Sequence, residues 1–143
     1  MKKICLISCV KSKREGPCKA GELYCGQLYT GHLKYAKSLG FKDNEIYILS
    51  AKHGLLSFTD VIEPYEKTLN NMKKPERNKW ARNTLEQLKS KFDINNTEFT
   101  ILAGKNYYEN LEPFLPNVNL PKELKGLPIG KRVQMLNSLV KSR

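Results

Sequence analysis

The stretch ILSAKHGLL, residues 48–56, decides how the chain folds. Ile48 and Leu49 continue the apolar run EIYILSA (45–51), which has the length and β-branched content of a buried strand. The run stops at Ser50, Lys52 and His53. Gly54 follows before Leu55 and Leu56 return. A hydroxyl, an amine and an imidazole at the end of a core strand have two readings. One is a polar loop closed by a turn glycine. The other is a ligand or catalytic site at a strand's carboxyl end.

The same pattern recurs on either side. KICLIS (3–8) is a short apolar run that ends at Ser8-Cys9, and EFTILAG (98–104) ends at Ala103-Gly104. Helical spacing separates the three runs. Leu28, Leu33, Ala36 and Leu39 recur through 26–39. Pro75 suits a first helical turn, and Ala81, Leu85, Leu88 and Phe92 follow at i, i+4, i+7 and i+11. Ile129, Val133, Leu136 and Val140 repeat that spacing, YYENLEPF (107–114) fits a shorter helix, and PNVNLP (116–121) a short strand or extended connection. Strand and helix alternating three times predicts one α/β domain over 1–143. Its sheet is expected to be mainly parallel, with three to four strands, flanked by helices on both faces. Such sheets bind ligands at the carboxyl ends of their strands, which puts the loops after Ser8, Ser50 and Ala103 on one rim. The longest connection, roughly 55–74, carries DVIEPYEKTL and has the length of a loop that covers a site.

Composition narrows the partners. The chain has 143 residues, 40% hydrophobic and 27% charged, enough for one substantial core. No apolar run approaches the roughly 20 residues of a membrane span. The opening MKKICLISCVKSKR has too short an apolar part for a signal peptide, so a cytoplasmic protein with no membrane partner is expected. Four cysteines, at 5, 9, 18 and 25, form no C-x-x-C pair, so reduced thiols, no metal site and no cofactor are expected. The net charge is +11, from 25 basic and 14 acidic residues. Residues 2–19 carry six basic side chains against one acidic, a net +5, and residues 122–143 carry the same. Folded onto one face, the two ends would attract nucleic acid or a phosphorylated nucleotide; the alternative is charge that only solubilises.

Candidate chemistry lies on the rim. SCVKSK (8–13) offers Ser8, Cys9, Lys11 and Lys13 beside backbone amides, a setting for phosphate or carboxylate, without the spacing of a Walker A loop. In SAKHG, His53 suits acid–base work near neutrality and Lys52 an anion clamp or an amine nucleophile, with Ser50 and Gly54 as binding candidates on the same rim. Cys9 and His53 on neighbouring strand ends would form a thiolate–imidazolium pair. DVIEPYE supplies the carboxylates Asp60 and Glu63 for a water or a developing cation, and Tyr65 to stack on a base. AGKNYYENL adds Gly104 and Lys105 to the binding rim, whereas His32 sits in a helical pattern and reads as structural.

In order, SCVKSK, ELYCGQLYTGHLKYAKSLG, IYILSAKHGLL, VIEPYE, KWARNTLEQL, TILAGKNYYENLEPFL and LKGLPIGKRVQML resemble an uncharacterised bacterial and phage domain family. The pattern LS-x-x-x-GLL…D-x-I-x-PY, spanning 49–65, also resembles the YaaA peroxide-stress proteins. That resemblance implies DNA binding and a site like those of DNA glycosylases and abasic-site lyases. Ser50, Lys52, Gly54, Asp60, Pro64 and Tyr65 match its pattern, while Ser8, Cys9, Lys11 and Lys13 match only the closer family. The expectation is an enzyme acting on a nucleobase or its N-glycosidic bond, with Lys52, His53, Asp60 and Glu63 catalytic. The alternatives are a non-catalytic nucleic-acid-binding protein, a small-molecule enzyme using a Cys9 thiolate, and an interaction protein.

Overall fold

The computed structural model describes residues 1–8, 17–23, 26–63, 65 and 69–142, with backbone only at 18, 22 and 23. Three strands are apolar almost throughout because neighbours cover them on both faces. They are β1 (Lys2–Ser8), β3 (Ile46–Ser50) and β6 (Thr97–Leu102). Ile4 to Ile7, Ile46, Ile48, Leu49, Phe99, Ile101 and Leu102 are all buried. β1 is central and runs parallel to both partners, with Cys5 opposite Ile46 on one side and Thr100 on the other.

Two edges complete a five-stranded sheet of order β4-β3-β1-β6-β7. β7 (Val118–Asn119) is a short parallel addition to β6, where the PNVNLP stretch allowed one. β4 (Gly54–Ser57) turns back antiparallel to β3, so the long connection begins with a strand and the sheet exceeds the three to four strands expected. A separate two-stranded ribbon pairs β2 (Cys18–Lys19) with β5 (Val61–Ile62), next to the one-turn helix α1 (Ala20–Leu23).

Strand order places the helices. The crossover from β1 to β3 moves one way along the sheet, and that from β3 to β6 moves back across β1. Right-handed connections therefore put their helices on opposite faces. The first carries α2 (Gln27–Ser38), which packs on β1 and on α5 (Ile129–Lys141). The second carries α3 (Lys74–Lys91), which lies beside β4 and the one-turn α4 (Lys105–Tyr108). At the end of α3, Phe92 meets Tyr47 and Phe99 edge-on. Ala81, Leu85, Leu88 and Phe92 are buried as their spacing predicts. On α2 the deepest residues are instead Tyr29, His32, Tyr35 and Ala36, with Leu28, Leu33 and Leu39 only half-buried. α5 buries Leu136 and Arg132 and leaves Ile129 exposed.

One buried polar contact fixes the α2–α5 layer. Arg132 donates from Nε to His32 Nε2 (2.9 Å), and its terminal nitrogens donate to the carbonyls of Leu124 (2.9 Å) and Ala103 (3.3 Å). Burial and the adjacent guanidinium hold His32 neutral, with its pKa lowered to about 3. Nδ1 of His32 then carries the proton and finds no hydrogen-bond partner among the described residues. His32 is structural, and so is Arg132, a member of the carboxyl-terminal basic group. Among the described residues no helix is long and apolar enough to cross a membrane.

Candidate functional site: a strand-end rim and the cleft beside it

Parallel register brings the predicted rim together. Ser8 pairs with Leu49, next to Ser50, and Ile7 pairs with Leu102, two residues before Gly104. Ser8, Ser50, Gly104 and Lys105 thus lie at one end of the sheet. Cys9, Lys11 and Lys13 lie outside the described residues.

The turn after β3 answers the question raised by ILSAKHGLL. Ser50 is fully buried. Its Oγ accepts the His53 N–H (3.0 Å), a local bond that tightens the turn, and pairs with the Tyr65 hydroxyl at 2.6 Å. Gly54 closes the turn with φ of 76°, a conformation that favours glycine. Ser50 and Gly54 shape the loop, while Lys52 faces solvent and His53 is half-exposed. The His53 ring stands edge-on to Tyr65, with centroids 5.5 Å apart, and Lys52 Nζ lies 5.9 Å from the Tyr65 ring. Burial first, and then the Lys52 ammonium, pushes the His53 pKa below its ordinary value, so the imidazole is neutral at pH 7. Tyr65 is itself buried and held against Ser50, which removes the exposed face needed to stack on a base.

The described residues between β5 and α3, Glu63, Tyr65 and 69–73, form a strap tied to the rim. Tyr65 ties it to the end of β3. Leu69 is buried and donates its N–H to the Tyr107 hydroxyl (3.4 Å), and Asn70 accepts from Asn106 (2.9 Å). Arg77 on α3 donates to the Met72 carbonyl (2.7 Å) and faces Glu109 at 3.8 Å. The expected covering loop is therefore anchored to β3, α3 and α4.

The two predicted carboxylates are placed differently from Lys52 and His53. Asp60 accepts the Ser57 N–H (2.8 Å) in the turn that ends β4. Ser57 lies opposite Tyr47, whose phenol feels the Asp60 charge, whereas Gly54 lies opposite Ser50. Three residues of strand, about 10 Å, separate Asp60's turn from the Lys52–His53 turn. Glu63 is exposed beyond β5.

Sequence reasoning missed the contribution of α3. Trp80 Nε1 donates to the Ser50 carbonyl (2.7 Å). One face further along, Gln87 accepts the Leu55 N–H (3.0 Å) and donates to the His53 carbonyl (3.2 Å). These two side chains hold the turn against the helix and leave a cleft of about 640 Å³ between them, which Lys52 and His53 also line. The signal was present as Trp80 and Gln87 at i, i+7, on the face that buries Thr84, but KWARNTLEQL reads first as an ordinary core helix.

Of the four cysteines only Cys5 has a described side chain, and Cys9 of the expected Cys9–His53 pair lies outside the described residues. Cys5 is buried in β1 and burial pushes its thiol pKa far up. Among the described residues no three His, Cys, Asp or Glu side chains gather as metal ligands would.

The fold and site define an open α/β domain with a polar cleft beside the carboxyl ends of its strands. The chain belongs to DUF6884, a family of unknown function whose model matches residues 4–138. No curated protein matches it.

Proposed function

We propose that the protein acts on a nucleobase or its N-glycosidic bond, in a nucleotide or in nucleic acid. The observation that carries this reading is the turn at 51–54: a neutral imidazole and an ammonium group held side by side at the mouth of a cleft of ligand size. The shared LS-x-x-x-GLL…D-x-I-x-PY pattern with the YaaA family supports it, as does the excess of basic residues. In the hydrolytic form, His53 takes a proton from water as the oxygen bonds to C1′. The C1′–N bond breaks, and its electron pair leaves with the base, which takes up a proton. Lys52 holds a phosphate beside the reacting sugar. Glu63 is the predicted carboxylate still free to approach from the strap, and Asp60 serves its turn.

Release of free base from nucleoside monophosphates and from single-stranded oligonucleotides, followed by chromatography, tests this. Lys52→Ala and His53→Ala should each lower turnover by about 10²-fold or more with the melting temperature nearly unchanged. Asp60→Asn should retain activity per folded molecule. Turnover that survives both Lys52→Ala and His53→Ala would place the chemistry elsewhere. A non-catalytic binder would release no base yet bind polyanions with steep salt dependence.

A further inference from the structure

Opposite Lys52 and His53, α3 presents Glu76, Lys79, Asn83 and Glu86 to the cleft, at i, i+3, i+7 and i+10. Their side chains form no hydrogen bond or ion pair with other described residues. Trp80 and Gln87, on the same helix, are occupied in stapling the turn. The cleft therefore holds two ammonium groups, two carboxylates, a free amide and an imidazole, over an apolar edge from Trp80 and Met72.

The charge balance is informative. The chain as a whole carries +11, yet this cleft has Lys52 and Lys79 against Glu76 and Glu86. With equal numbers of each sign the cleft offers a run of phosphates no net attraction, while its two ammonium groups are enough to hold one phosphate. Asn83 offers a donor and an acceptor in one plane, the pattern that reads a base edge, and Glu86 accepts from an exocyclic amine. The volume suits one nucleotide and is too small for a duplex.

We infer that the cleft between the β3–β4 turn and α3 binds a single nucleoside monophosphate unit. Its phosphate lies toward Lys52 and Lys79, and an amine-bearing base lies against Asn83 and Glu86. This rests on the proposed nucleobase chemistry for its orientation toward His53, but the binding can be read without any reaction.

Trp80 is the chain's single tryptophan and lines the cleft, so its fluorescence reports occupancy. Titration with cytidine 5′-monophosphate should give a saturable change, and uridine 5′-monophosphate should bind about tenfold more weakly. Lys79→Ala and Asn83→Ala, both at exposed positions, should each weaken cytidine monophosphate binding by about tenfold at unchanged melting temperature. A response to free nucleotide marks a free-nucleotide site. A response only to a single-stranded cytidine oligonucleotide marks the same unit within a strand. A response to duplex alone, no response at all, or equal affinity in wild type and both variants overturns the inference. Base release whose KM ignores Lys79→Ala and Asn83→Ala would leave the activity standing and remove the cleft. Binding that follows these variants, with no base released, would keep the cleft and remove the activity.

Discussion

At the scale of single residues, Gly54 and His32 carry different kinds of necessity. Gly54 has φ of 76°, and a Cβ there would meet the Gln87 side-chain oxygen that holds the turn. Gly54→Ala should therefore cost at least about 1–2 kcal/mol in chemical denaturation. A Gln87→Ala, Gly54→Ala double variant should relieve the steric clash but keep the backbone strain and lose the two hydrogen bonds that Gln87 makes to the turn, so it should not regain wild-type stability. His32 is neutral because it is buried beside Arg132, with a pKa near 3 in the fold against about 6.5 in the open chain. The unfolded state binds the extra proton between these values. Stability should thus be level above about pH 6.5 and should fall steadily as pH drops toward 3. His32→Gln, which keeps an acceptor for Arg132 Nε, should flatten that slope by close to one proton. An unchanged pH profile in the variant would assign the acid sensitivity to other groups.

At the scale of elements, the strap is the test of how the rim is held. Tyr65→Phe removes one partner of the buried Ser50 hydroxyl and should cost about 1 kcal/mol. It should also raise protease sensitivity between β5 and α3 more than elsewhere, because Tyr65 is the strap's tie to β3. The three parallel strands and the three long helices were legible in the sequence because burial on both faces leaves unbroken apolar runs, and a helix leaves its own period. β4 was not legible as a strand, because Gly54-Leu55-Leu56-Ser57 is short and its alternation is masked by two adjacent leucines. The rim could be read from strand ends alone, which placed Ser8, Ser50 and Gly104 together. The separation of Asp60 from Lys52 was hidden for the same reason as β4: a segment read as loop gives no direction, and only the antiparallel return carries Asp60 away. The α3 wall of the cleft was hidden because polar residues on the outer face of a helix look the same whether they meet water or a ligand.

At the scale of the whole molecule, three of the basic residues counted at the two ends, Lys2, Lys3 and Arg132, lie away from the rim, while Lys11, Lys13, Arg14 and Arg143 are outside the described residues. Lys2 and Lys3 begin β1 and so lie at the far end of the sheet from Ser8, with Lys2 over the Phe92 ring. Arg132 is buried and fully engaged with the core. Neutralising Lys11, Lys13 and Lys131 should reduce the salt slope of nucleic-acid binding by up to about 0.9 for each phosphate no longer neutralised, measured by titration at several salt concentrations. Arg132→Ala should instead unfold the α2–α5 layer, visible as a lower melting temperature with no specific effect on salt dependence. The position of β1 has a further consequence, in the order of synthesis. Within the five-stranded sheet the central strand is made before its neighbours, and the second of these, β6, begins only at Thr97. Until then one side of β1 has no strand beside it, and the α5 layer that closes over Leu136 is later still. A nascent chain stopped before β6 exposes an apolar strand edge, so the sheet closes only once β6 has been made and depends on whatever shields that edge in the interval.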